Sequence, residues 1–164
     1  MEISKIETKE DLQYCVNLYY NLNDHEFLDV DPNICYTSLY KLYKQNNFIR
    51  VIRKDDKIIA WLLAIKTQAL HMSYPQLQQL YYACDQKGFI AYKCVVLLHE
   101  ALVEEAKLSN IRFCISQGSH MDPENIFAKI LEKQGWDRRG HTAALRLPHS
   151  GPQRPLPATF FTRG

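Results

Sequence analysis

The 164-residue sequence predicts an α/β domain with a mixed, mostly antiparallel central sheet flanked by helices. Three observations predict it. The spacing of apolar residues switches repeatedly between a helical period and the continuous or alternating runs of strands. Residues 48–67 hold two β-rich runs joined by a short polar turn, which is the pattern of a hairpin. In the middle of the chain a strand, a glycine-bearing turn and a long helix follow one another, and a short apolar strand comes next.

Residues 2–6 alternate polar and apolar, as a short first strand does. Thr8 offers an N-cap and Asp11 a carboxylate for the first turn of a helix over 9–22, with Leu12, Cys15, Val16 and Tyr19 on its apolar side. Asp31-Pro32 starts a second helix, because proline at the first helical position lacks only an N–H that the helix cannot use. Tyr36, Leu39, Leu42 and Tyr43 form its buried face. Residues 48–53 and 57–67 are the hairpin strands around Lys54-Asp55-Asp56-Lys57, a turn without glycine. Residues 77–85 read as the next strand, and 90–108 as a helix whose apolar residues Ala91, Cys94, Val95, Leu98, Leu102 and Ala106 recur at three and four. A buried strand over 111–116 follows. Asp122-Pro123 then repeats the N-cap signature before Ile126, Phe127, Ile130 and Leu131, and Gly135 marks the helix end. One or two closing strands run from Trp136, one of them over 143–147. The predicted order is β-α-α-β-β-β-α-β-α-β(-β), with antiparallel strands first and strand–helix–strand units later. Residues 1–147 form the domain. Residues 148–164, with Pro148, Pro152, Pro155 and Pro157, form a proline-rich arm that is neither helix nor inner strand.

Composition narrows the function classes. The chain is 46% hydrophobic and 23% charged with a net charge of +2, an ordinary globular balance without the concentrated basicity of a nucleic-acid binder. Cys15, Cys35, Cys84, Cys94 and Cys114 are odd in number and lack C-x-x-C spacing, so they read as small apolar residues of a reducing compartment. The first residues, Met-Glu-Ile-Ser-Lys, do not have the basic-then-apolar form of a signal sequence, and the longest apolar runs fall short of the ~20 residues that span a bilayer. The expectation is a cytoplasmic protein without a membrane or nucleic-acid partner. His25, His71, His99, His120, His141 and His149 show no metal-ligand spacing, and no metal is expected.

The element order and two short motifs resemble the GNAT (GCN5-related N-acetyltransferase) superfamily. The first motif is Asp85-Gln86-Lys87-Gly88-Phe89-Ile90-Ala91, set against Q/R-x-x-G-x-G/A. If Gln86 takes the first position, Ala91 takes the last and Phe89 stands at the central glycine. If Gly88 is the central glycine, Asp85 and Ile90 stand at the ends. The second motif is the late helix from Asn125 to Trp136, set against N-x-x-A-x-x-L-Y-E-K-x-G-F. Asn125, Ala128 and Leu131 match counted forward, and Glu132 to Trp136 counted back from Gly135. The resemblance implies acetyl-CoA as cofactor, with its pyrophosphate on the backbone N–H groups of a helix start. It assigns Gln86, Lys87, Gly88, Phe89, Ile90, Ala91 and Asn125 to cofactor binding.

Direct acyl transfer to an amine needs a base for the amine and an acid for the thiolate. Asp85 is the candidate base, and Tyr82 the candidate acid in place of the motif tyrosine, whose position Leu131 takes. His120, in a loop after a strand that approaches the cofactor in this family, completes the candidate catalytic set. Cys84 would need a nearby cation or histidine to become a nucleophile. Two functions follow from the resemblance. One is an acetyl-CoA-dependent N-acetyltransferase with an unnamed amine acceptor and degenerate motifs. The other is a catalytically inactive GNAT-like binding or assembly protein that engages a protein partner through the 148–164 arm, similar to small GNAT-like proteins of bacteriophages, some of them virion-associated.

Overall fold

The first helix begins with a reciprocal cap: the Thr8 hydroxyl accepts from the Asp11 N–H (3.1 Å), and Asp11 Oδ2 accepts from the Thr8 N–H (3.3 Å). Arg53 Nη2 meets the same carboxylate oxygen at 2.7 Å, which ties the helix start to the sheet. Burial raises the Asp11 carboxyl pKa, but the Arg53 hydrogen bond and the backbone donors outweigh it, and the net direction is down. The computed structural model describes residues 1–22, 31–68, 70, 74–118, 126–139 and 142–148. The predicted Asp122-Pro123 cap, His120, Asn125 and nearly all of the 148–164 arm lie outside them.

The elements are β1 (Glu2–Ser4), α1 (Lys9–Leu22), α2 (Pro32–Lys44), β2 (Phe48–Lys54), β3 (Lys57–Thr67), β4 (Gln76–Cys84), α3 (Gly88–Leu108), β5 (Phe113–Gln117), α4 (Ile126–Lys133), β6 (Asp137–Arg139) and β7 (Thr142–Arg146). Asp31 caps α2, its Oδ1 accepting from the Asn33 N–H at 2.8 Å. The sheet order is β1-β2-β3-β4-β5-β7-β6. Every neighbouring pair is antiparallel except β4 and β5. The expected mixed, mostly antiparallel sheet is thus present, with the strand–helix–strand order in its later half. Only β4-α3-β5 is parallel, because the chain after α4 first runs out along the sheet edge as β6 and returns beside β5 as β7.

Two apolar layers lie on opposite faces of the sheet. Leu12, Cys15, Val16 and Leu39 of α1 and α2 pack on Ile49, Val51, Trp61 and Leu63. Cys94, Leu98 and Leu102 of α3, with Phe127 and Leu131 of α4, pack on Ile52, Leu62 and Cys114. β3 is covered on both faces, which is why residues 58–64 are all apolar and all buried.

The β2–β3 turn does without glycine by placing Asp55 and Asp56 at φ 51° and 61°. Two left-handed residues make the turn whose twist suits a hairpin, and aspartate tolerates that region better than most residues. Asp56→Gly is expected to stabilise the protein by about 0.5 kcal/mol in a urea titration, since glycine carries no steric penalty there.

Candidate functional site

Local sequence parts the sheet in its middle. β4 and β5 pair only at Leu77 with Cys114 and Gln78 with Ile115, after which β4 continues to Cys84 and β5 to Gln117 without pairing. On its other edge β4 carries a bulge: Leu63 pairs with Tyr81 and Ala64 with Gln79, so Leu80 has no partner in β3. A bulge adds twist to one strand, and here it lies where β4 turns away from β5. The result is a V-shaped opening that points toward the start of α3.

The closed end of the V is held by side chains. Gln79 Oε1 accepts from the Gln117 N–H at 2.8 Å and lies 3.2 Å from the Ser116 hydroxyl, so an amide side chain stands where backbone pairing has stopped. Ser116 Oγ is 2.7 Å from His99 Nε2, and His99 Nδ1 is 2.8 Å from the Val95 carbonyl oxygen. A carbonyl only accepts, so Nδ1 carries the proton and neutral Nε2 accepts from Ser116. Burial pushes the His99 pKa down to about 4, against the opposing Val95 hydrogen bond. All three polar groups are buried, and the His99 ring lies against those of Tyr82, Phe127 and Trp136.

At the open end the chain passes from Cys84 into α3 through the candidate cofactor loop. The Asp85 N–H donates to the Ile59 carbonyl at 3.2 Å, and Asp85 Oδ1 accepts from Gln86 Nε2 at 2.6 Å. Lys87 is the N-cap and offers no side-chain cap bond, and among the described residues no side chain is bonded to the first amides of α3. Gly88 adopts φ +60°, and a Cβ placed on it would find no atom within 4 Å. The left-handed residue followed by helical ones turns successive N–H groups toward open space, the concave arrangement that suits an anion. Phe89 does not fill this space. It is 68% exposed, stacks at 12° on Tyr92 and lies under the Lys93 ammonium at 5.1 Å.

The candidate catalytic residues are dispersed. Asp85 lies at the mouth of the V. Tyr82 turns toward α3 and α4, its ring 5.1 Å from that of Phe127. Burial, reinforced by the nearby Cys84 and Cys94 thiols, holds its phenol well above the ordinary value, so it keeps its proton. The Cys84 thiol pKa is lowered, chiefly by the neighbouring Cys94 thiol and against burial. Leu131 is fully buried, so no acid stands in that motif position. Among the described residues no group of His, Cys, Asp and Glu is arranged to hold a metal. Nor is any helix there long and apolar enough to cross a membrane.

Gln79, Ser116 and the Leu80 bulge were not singled out from the sequence. The signal available was Gln76-Leu77-Gln78-Gln79, three amides in a strand that must pack on both faces.

No family profile and no curated protein matches the chain. Solved structures do match. The N-acetyltransferase from Staphylococcus aureus Mu50 superposes with a TM-score of 0.68 at 12% identity, covering 90% of this chain and 100% of that one. The yncA structure from Salmonella typhimurium, solved with its cofactor acetyl-CoA, gives 0.67 at 11% identity, covering 93% and 97%. An acetyltransferase of the GNAT family from Streptococcus pneumoniae gives 0.65 at 12% identity, covering 90% and 100%. The fold of this chain is the GNAT acetyltransferase fold.

Proposed function

We propose that the chain is an acetyl-CoA-dependent N-acetyltransferase. The observation that carries this reading is the V between β4 and β5 opening onto an α3 start whose amides are uncapped and whose Gly88 leaves room for an anion. Bound acetyl-CoA would supply an activated thioester. The chain's own part is to bind and orient it. The N–H groups at Gly88, Phe89 and Ile90 would receive the pyrophosphate, helped by the helix dipole and by Lys87 and Lys93 nearby. The unpaired edge of β4 past Leu80 offers N–H and C=O groups to the amides of the pantetheine arm. Asp85 would take the proton of the acceptor amine, and Tyr82, kept protonated by burial, would return one to the departing thiolate.

Calorimetric titration with acetyl-CoA tests the reading. Micromolar binding is expected, and Gly88→Glu should weaken it about 100-fold or more, since two like charges at 4 Å repel by roughly 4 kcal/mol at an effective dielectric constant near 20. Glutamate is also strained at φ +60°, so Lys87→Glu serves as a second variant without that strain, and thermal melts establish that both are folded. No binding at millimolar acetyl-CoA would overturn the proposal.

The second reading, an inactive protein of this fold with a partner on the 148–164 arm, draws on buried Leu131 in the place of the acid.

A further inference from the structure

A helix that covers one face of a sheet buries one side and ordinarily carries charge on the other. α3 buries Cys94, Val95, Leu98, His99, Leu102 and Ala106 on its inner side. Its outer side changes character halfway. From Glu100 onward it is charged, and Lys107 pairs there with Glu104 at 3.2 Å. Before Glu100 it carries Phe89, Tyr92 and Val96, which belong to neither apolar layer of the domain. With Met1 and Leu97 they line an open groove of about 410 Å³. A contiguous apolar surface of this kind marks a place where another molecule docks.

Two charges on the groove say which molecule. Lys93 and Glu100 also line it, one to each side of Val96 and about 10.5 Å apart along the helix axis. Both side chains are exposed, and neither forms an ion pair with a described residue. A plus and a minus set about an apolar centre are complementary to themselves. When two copies of α3 cross antiparallel about a two-fold axis at Val96, each Lys93 comes beside the other copy's Glu100. The two Val96 side chains then meet on the axis. Parallel copies would instead set lysine on lysine and glutamate on glutamate. A partner of one charge sign would satisfy one of the two residues and repel the other.

From this self-complementary pair on an apolar helix face, we infer that the outer side of α3 is a homodimer interface, with two antiparallel copies joined by reciprocal Lys93–Glu100 pairs. About three turns of helix make a small contact, below the ~1,200 Å² of a standard stable interface. The dimer is therefore weak, and its population rises with protein concentration. Below its dissociation constant the chain is a monomer, and stability measured there is the monomer's.

Sedimentation velocity of the full chain without acetyl-CoA, from about 5 µM to about 500 µM, tests the inference independently of the cofactor titration. The mean mass is expected to move from one chain toward two. Lys93→Glu and Glu100→Lys each replace two attractive pairs with two repulsive ones and should weaken self-association about 10-fold or more. Mixed in equal amounts, one variant presents a wholly acidic face and the other a wholly basic one. The heterodimer regains both pairs and should form at concentrations where neither variant dimerises alone. Such rescue cannot come from a misfolded chain, because mixing alters neither fold. Val96→Asp, which puts a carboxylate on the axis, should also leave a monomer, and thermal melts at about 5 µM establish that the variants are folded. A chain still monomeric at about 500 µM would overturn the inference and leave the groove to a different partner. So would a dimer that survives both charge reversals and Val96→Asp unchanged, or charge-reversed variants that fail to associate when mixed.

Discussion

Lowering the pH from 6.5 to 4 is expected to strip roughly 3 kcal/mol from the stability of this protein through His99 alone. The folded state holds this imidazole at about 4 against an ordinary 6.5, so between those values the unfolded chain binds a proton that the folded chain refuses. Stability therefore falls as pH falls through that window and levels off below it. The cause is structural: a fully buried ring between the Val95 carbonyl and the Ser116 hydroxyl would have to accept a charge away from water. Urea unfolding at half-unit pH intervals, compared with His99→Gln, isolates the contribution. The variant keeps a polar side chain but cannot titrate, so its curve should be flatter by about 1.4 kcal/mol per pH unit within the window. Identical slopes for the two proteins would show that the acid sensitivity lies elsewhere.

The second large effect concerns α3. Leu98→Ala is expected to cost about 3–5 kcal/mol in the same urea assay, the range for a large aliphatic residue removed from a rigid, fully buried site. Leu98 is 0% exposed, in the layer formed by α3, α4 and the sheet. Phe89→Ala, nearer the start of the same helix, should change stability by under about 0.5 kcal/mol, because that ring is 68% exposed. If the two variants proved equally costly, Phe89 would have a packing role that its exposure does not reveal.

The fold was largely legible in the sequence because its signals are local. Thr8 with Asp11 and Asp31 with Pro32 are caps, and both helices begin there. The unbroken apolar run of β3 needed cover on two faces and has it. The long helix begins at Gly88, two residues before the apolar stripe suggests, since exposed Gly88 and Phe89 carry no burial pattern to read. The pairing of the closing strands was not legible, because it depends on which neighbour a strand returns to, and nothing local to residues 137–147 states that. The site was less legible. The turn into the long helix near Gly88 was legible, but not the role of Gln79, whose side chain bonds a residue 38 positions away. Cys84 illustrates the same limit: the Cys94 thiol that lowers its pKa stands on α3, a neighbour that exists only once the chain is folded.

The parted sheet has one more consequence. A continuous sheet has two edges, and this one, interrupted past Gln78 and Ile115, has two more in its interior. Interior edges are as ready to recruit a foreign strand as outer ones, and so are a hazard for self-association. Gln79 narrows the hazard by crossing the gap with its amide, as a staple would, at the point where the strands separate. What remains open is a slot lined with backbone donors and acceptors, which in the function proposed above receives an extended molecule that carries amides of its own.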